Sequence, residues 1–207
     1  MTHEANLNLN DAWLKNADKL AYLFSEELGY QSKDEYMDSL PEFDPQPESH
    51  KERFETTVIV QVPVKGKLTL SRMLAIQEVT NRLPNLKDLK DWQQDPQKFK
   101  TPKVPYVTYL HDGSRNLGKA PAIVVENLAS NERVGTIFDG LALLAQNPDI
   151  LKDHYIDLLG SQYAQYGPIC FPYLYQWDGK IYLDRRLFIT ANSLYGSVIA
   201  ARNIVTK

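Results

Sequence analysis

Two histidine–aspartate pairs carry the residue types from which acid–base or metal chemistry is built: His111 with Asp112, and His154 with Asp157. Imidazole and carboxylate can share a zinc, manganese or iron ion, or an imidazole can act as base while a carboxylate orients it. His154 and Asp157 lie three apart, so a helical turn would put them on one face. His111 and Asp112 run into Gly113, and Asp-Gly is equally an ordinary turn. These four are the candidate catalytic residues. The structural alternative is that all four are capping or solvated polar groups.

Three other patterns either lack a part that their chemistry requires or are explained by their local context. Gly113, Gly118 and Lys119 have the spacing of a phosphate-cradling loop, but Ala120 stands where a Ser or Thr hydroxyl would hold magnesium. Pro148-Asp149 with Asp178-x-Lys180 has the spacing of a two-carboxylate, one-lysine magnesium site. There Pro148 suits a helix start, and Asp178-Gly179 is explained by a tight turn. Cys170 is the only cysteine, which excludes an internal disulfide and a cysteine-rich metal site. It sits in an apolar-aromatic run that reads as a buried strand, and no G-x-S-x-G elbow occurs. No metal ligand set and no cofactor are expected.

A binding reading rests on charge. Residues 1 to 56 hold 13 Asp/Glu against 5 Lys/Arg, and the remainder holds 18 basic against 13 acidic residues. An acidic head is thus joined to a mildly basic body, and either the two neutralise each other or the body faces an anionic partner. Residues 65 to 119 concentrate 11 Lys/Arg against 5 Asp/Glu. There Lys98, Lys100 and Lys103 lie among Phe99 and Tyr106, a mixture that single-stranded nucleic acid favours. Arg115, Asn116 and Lys119 extend the candidate binding set. The sequence pI of about 5.8 is low for a dedicated nucleic-acid binder.

The elements that must position these residues follow from periodicity. Asn10 or Asp11 can cap a helix whose Trp13, Ala17, Leu20, Phe24 and Leu28 form one stripe, with Gly29 as its stop. Residues 41 to 53, with three prolines, read as a linker, so an N-terminal unit 1–53 and an α+β domain 54–207 are expected. Strands are expected over 56–64 and 103–110, and helices over 69–83, within 120–129 and from a cap at Thr136. Asp178-Gly179 between apolar runs predicts a type I′ hairpin over 170–187, and "SLYGSVIAARN" a weak C-terminal helix. The irregular order of strands and helices favours an α+β fold over a doubly wound one. The N-terminus lacks a basic start followed by an apolar run, and no segment has the apolar length of a membrane helix, so a soluble cytoplasmic chain is expected.

From Val104 to Trp177 the words "PYVTYLHDG", "GTIFDGLALLAQNPDIL", "HYIDLLGS" and "PYLYQWDGK" resemble a pattern found in a family of bacterial proteins of unknown function. The resemblance covers about a third of the chain and implies no activity. It implies that His111, Asp112, Gly113, Asn116, Gly140, His154, Asp157, Gly160 and Ser161 belong to one motif set that would meet in space. The function these readings favour is a non-catalytic binding module. Its partner would be a protein meeting the N-terminal stripe, or a ligand of the basic and aromatic surface around 98–119. The alternatives are a His/Asp hydrolase, metal-dependent or acid–base, and a nucleic-acid or other polyanion binder.

Overall fold

A computed structural model describes residues 3–42, 54–92, 95, 98–163 and 168–207, with side chains from Trp13 onward. The apolar stripe of the first helix, α1 (His3–Leu28), is read as expected, but the helix begins before Asn10. It stops at Gly29, whose φ of 78° lets the Tyr30 amide reach back to the Ser25 carbonyl. A short α2 (Lys33–Ser39) follows, capped by the Ser32 hydroxyl.

The fold is α+β, with strands in two sheets. The first is antiparallel, in the order β1 (Thr56–Val60), β4 (Tyr106–His111), β11 (Ile199–Ala201), β5 (Glu132–Val134), and β12 (Val205–Thr206) also pairs with β4. In the second sheet β8 (Cys170–Trp177) forms the expected hairpin with β9 (Lys180–Leu187). Asp178 and Gly179 both have positive φ, 49° and 70°, as a type I′ turn requires. Around this hairpin lie β10 (Tyr195–Ser197), β6 (Tyr155–Asp157), β7 (Ser161–Tyr163), β3 (Leu89–Asp91) and β2 (Val79–Asn81).

Three sequence expectations are corrected. The helix expected over 69–83 is only α3 (Leu70–Ile76), because Glu78 turns to a φ of 55° and Val79–Asn81 leave to pair in parallel with Ile181–Leu183. The C-terminal segment is not helical. Its residues form β10 and β11, where close pairing with β4 and β6 outweighs local propensity. His154 and Asp157 do not share a helical turn: Asp157 ends a strand and His154 precedes it.

The core explains the element order. α5 (Ile137–Gln146) starts in a capping box, with Thr136 and Asp139 exchanging backbone-to-side-chain hydrogen bonds. Its apolar face and the α1 stripe (Ala17, Leu20, Phe24, Leu28) pack against β1 in one cluster with Val58, Val60 and Leu110. The stripe offered as a docking face is therefore covered by the body of its own chain. The linker expected over 41–53 falls almost wholly outside the described residues. A second, smaller cluster on the opposite face joins Phe54, Trp92, Tyr109, Val124, Leu159, Phe171 and Ile199. Among the described residues no helix is long and apolar enough to cross a membrane.

Candidate functional site

All six residues of β4 are buried, and alternation along it sends His111 to the same side as Tyr109, toward the smaller cluster. Ile199 of β11 lies opposite His111 in register. Beyond His111 the backbone must turn in very little space. Gly113 has a φ of 100°, and a Cβ on it would lie 2.6 Å from the Gly196 carbonyl group. A Cβ on Gly196 would lie 2.3 Å from the Gly113 oxygen, so each glycine permits the other's approach.

Side chains fasten this turn. Asp112 Oδ1 accepts the Ser114 amide at 2.8 Å, and the His154 ring donates through Nε2 to the Asp112 carbonyl at 3.1 Å. Asn116 Nδ2 donates to the Ser197 carbonyl at 3.3 Å. The chain then makes a 3-10 turn over Ser114–Asn116 and enters α4 (Pro121–Glu126). The amides that would cradle a phosphate are engaged internally: Asn116 with Gly113 O, Leu117 with Ser114 O, Gly118 with Tyr195 O and Lys119 with Asn116 O. The glycine-lysine spacing thus builds a connection, with its amides turned inward.

Between this turn and α4 lies a cleft of about 260 Å³. Its polar wall is His111, Arg115, Asn116, Lys119, Asn127 and Glu132, and its apolar wall is Ile123, Val124, Leu128 and Ile199. His111 is 3% exposed. Its Nδ1 accepts the Gly113 amide at 2.9 Å, and burial, the dominant influence, holds the ring below the ordinary imidazole range. The ring is therefore neutral at pH 7 with its proton on Nε2. That Nε2–H is buried and has no hydrogen-bond acceptor among the described residues. On the Nε2 side stands Glu55, whose Oε1 lies 3.6 Å from His111 Nε2 and 3.5 Å from Arg115 Nη2, while Asp112 Oδ1 lies 3.5 Å from Nδ1.

Ligand atoms of Glu55, His111 and Asp112 lie within 4.8 Å of one another, close enough to ask whether they form a cation site. The hydrogen bonding answers against it. One ring nitrogen is an acceptor already used by Gly113, and the other carries the proton. A metal at Nε2 would require breaking the Gly113 bond to move that proton, so the site as built offers a donor to an acceptor.

The four catalytic candidates meet only in part. His111, Asp112 and His154 are joined through the turn, but His154 acts as a strut to a backbone carbonyl. Asp157, 1% exposed, faces Arg186 with Oδ2 3.4 Å from Nη1. Burial pushes its carboxyl up to about 7, with Arg186 opposing. The other residues of the resembling motifs are packing points. Gly140 lies against Leu158, Gly160 against the Val134 and Gly135 carbonyls, and Ser161 Oγ accepts the Ile137 amide at the start of α5.

The basic segment divides likewise. Arg115, Asn116 and Lys119 line the cleft, and Lys98, Lys100 and Lys103 are exposed away from it. The rings expected beside those lysines are engaged: the Arg133 guanidinium covers Phe99 at 3.8 Å, and Tyr106 is buried with its hydroxyl on Asp139 at 2.9 Å. Sequence reasoning missed two residues. Glu55 reaches His111 because Thr56 pairs with Leu110, a register no local pattern reveals. Arg133, fully buried, forms a 2.7 Å ion pair with buried Asp139, and nothing in "NERVG" marks it as a core residue. Compared with protein-family models, with curated proteins and with solved structures, the chain matches none.

Proposed function

We propose that this chain is a non-catalytic, cytoplasmic binding module whose site is the cleft at the end of β4, taking a small molecule that presents a hydrogen-bond acceptor to His111. The observation that carries this reading is the buried His111 Nε2–H, fixed as a donor by Gly113 and left without an acceptor beside Arg115 and Lys119. An unmet buried donor costs about 1–3 kcal/mol, which a ligand acceptor would recover on binding. Hydrolysis is less well supported, because Asp157 is directed to Arg186 and His154 to a carbonyl. The lone Cys170 suits a reducing compartment.

Amide mapping by NMR tests the proposal. Short aliphatic acids, amines and amides are titrated into the ¹⁵N-labelled full chain. At least one class should saturably shift the amides of His111, Arg115, Asn116 and Lys119 and leave those of β9 still. If no class moves them, the proposal fails.

A further inference from the structure

We infer that the ligand of this cleft is a carboxylate carrying a short apolar tail, and that Glu55 is a built-in placeholder for its head group. The inference rests on the cleft being the binding site and adds what the site selects. One carboxylate oxygen of Glu55 already lies between the two donors, 3.6 Å from His111 Nε2 and 3.5 Å from Arg115 Nη2. The surroundings thus accept a carboxylate at that point. Glu55 leads directly into β1, and its own amide is bonded to the Leu110 carbonyl at 3.0 Å. Arg115 donates to Glu55 Oε1 in a long 3.5 Å hydrogen bond, whereas the 3.6 Å separation from His111 Nε2 exceeds the 2.7–3.2 Å of an N–H···O hydrogen bond and leaves that donor unsatisfied.

An untethered carboxylate can close that gap, giving one oxygen to His111 Nε2 and the other to the Arg115 guanidinium. Glu55, whose side chain is 46% exposed, can then swing into water. Beside this head position the apolar wall of Val124, Leu128 and Ile199 is suited to a few carbon atoms. A phosphate is the poorer match. It brings more acceptor oxygens, and the loop amides that would meet them are already bonded to backbone carbonyls.

The test is calorimetric titration of the full chain, wild type and Glu55→Gln, with 3-methylbutanoate, 3-methylbutanamide and inorganic phosphate. The same probes are followed by amide mapping. Removing the competing charge should tighten 3-methylbutanoate binding about tenfold, the worth of one charge-assisted hydrogen bond, and leave the uncharged amide unchanged. Unchanged or weaker carboxylate affinity in Glu55→Gln overturns the placeholder role. If only the amide or only phosphate moves the cleft resonances, the cleft stands as a site and the carboxylate assignment falls. If none of the three moves them in either protein, the carboxylate assignment falls, and the broader panel then decides whether the cleft is a site at all.

Discussion

Replacing Arg133 with methionine is expected to lower the unfolding free energy by about 3–5 kcal/mol, the usual cost of leaving one partner of a buried ion pair uncompensated. Arg133 and Asp139 are both fully buried, and their contact joins distant parts of the fold. The guanidinium donates to the Ala201 carbonyl at 3.0 Å, to the Val134 carbonyl at 3.2 Å and to both oxygens of Asp139. Asp139 in turn accepts the Thr136 amide and hydroxyl and the Tyr106 hydroxyl, so it caps α5 as well as neutralising Arg133. Burial alone would raise the Asp139 carboxyl, but Arg133 and these donors hold it below its ordinary value. Its contribution is thus present above the ordinary carboxylate range and is lost as pH falls through the depressed value.

Urea unfolding at pH 7 measures the effect. At this chain length the loss corresponds to a fall of roughly 10 °C in melting temperature. The pair Arg133→Met with Asp139→Asn should recover part of it, since the lone charge is gone and an amide oxygen can still cap the helix. A single variant as stable as wild type would show that the pair does not hold the sheet to α5.

The second large effect has the opposite sign. The Asp157 carboxyl is pushed from 3.8 to about 7, chiefly by burial, and neither oxygen has a hydrogen-bond partner among the described residues. Between those values the folded protein keeps a proton that the unfolded chain releases. Stability therefore falls as pH rises from about 4 to 7, by up to about 4 kcal/mol, and levels off above. Asp157→Asn carries no such dependence. Measured by urea unfolding across this range, the variant should gain on wild type with rising pH, and the difference should be greatest near pH 7.5. Parallel curves would mean that the carboxylate is better solvated than its burial indicates.

Local signals in the sequence were sufficient where local physics decides the structure. Asp178-Gly179 needs two positive φ values and obtains them, Thr136 caps α5, and the stripe of α1 faces the core. The errors have a common origin in pairing between distant strands. Val79 and Leu83 continue a helical period but are taken from α3 by β9 and by the turn at Glu78. The helical appearance of the C-terminus yields to the edges of β4 and β6.

The site was legible by residue and not by role. His111, Arg115, Asn116 and Lys119 were singled out and share one cleft. His154 and Asp157 were singled out on a helical spacing that does not exist, because residues three apart on extended chain point to opposite sides. Gly113 looked like part of a phosphate loop or a turn. Its actual requirement, the approach of Gly196 across a gap with no space for a Cβ, depends on a contact between residues far apart in sequence. Glu55 was invisible for the same reason.

Recognition at the end of β4 turns on which nitrogen of His111 carries the proton. A long-range ¹H–¹⁵N correlation spectrum of the imidazoles at pH 7 measures this in the full chain, with His111→Gln assigning the signal. A neutral ring with the proton on Nε2 and Nδ1 as acceptor is the predicted result, with the Nε2 resonance moving when a cleft ligand is added. A proton on Nδ1, or a doubly protonated ring at that pH, would contradict it and would reopen the Glu55, His111 and Asp112 group as a cation or acid–base site.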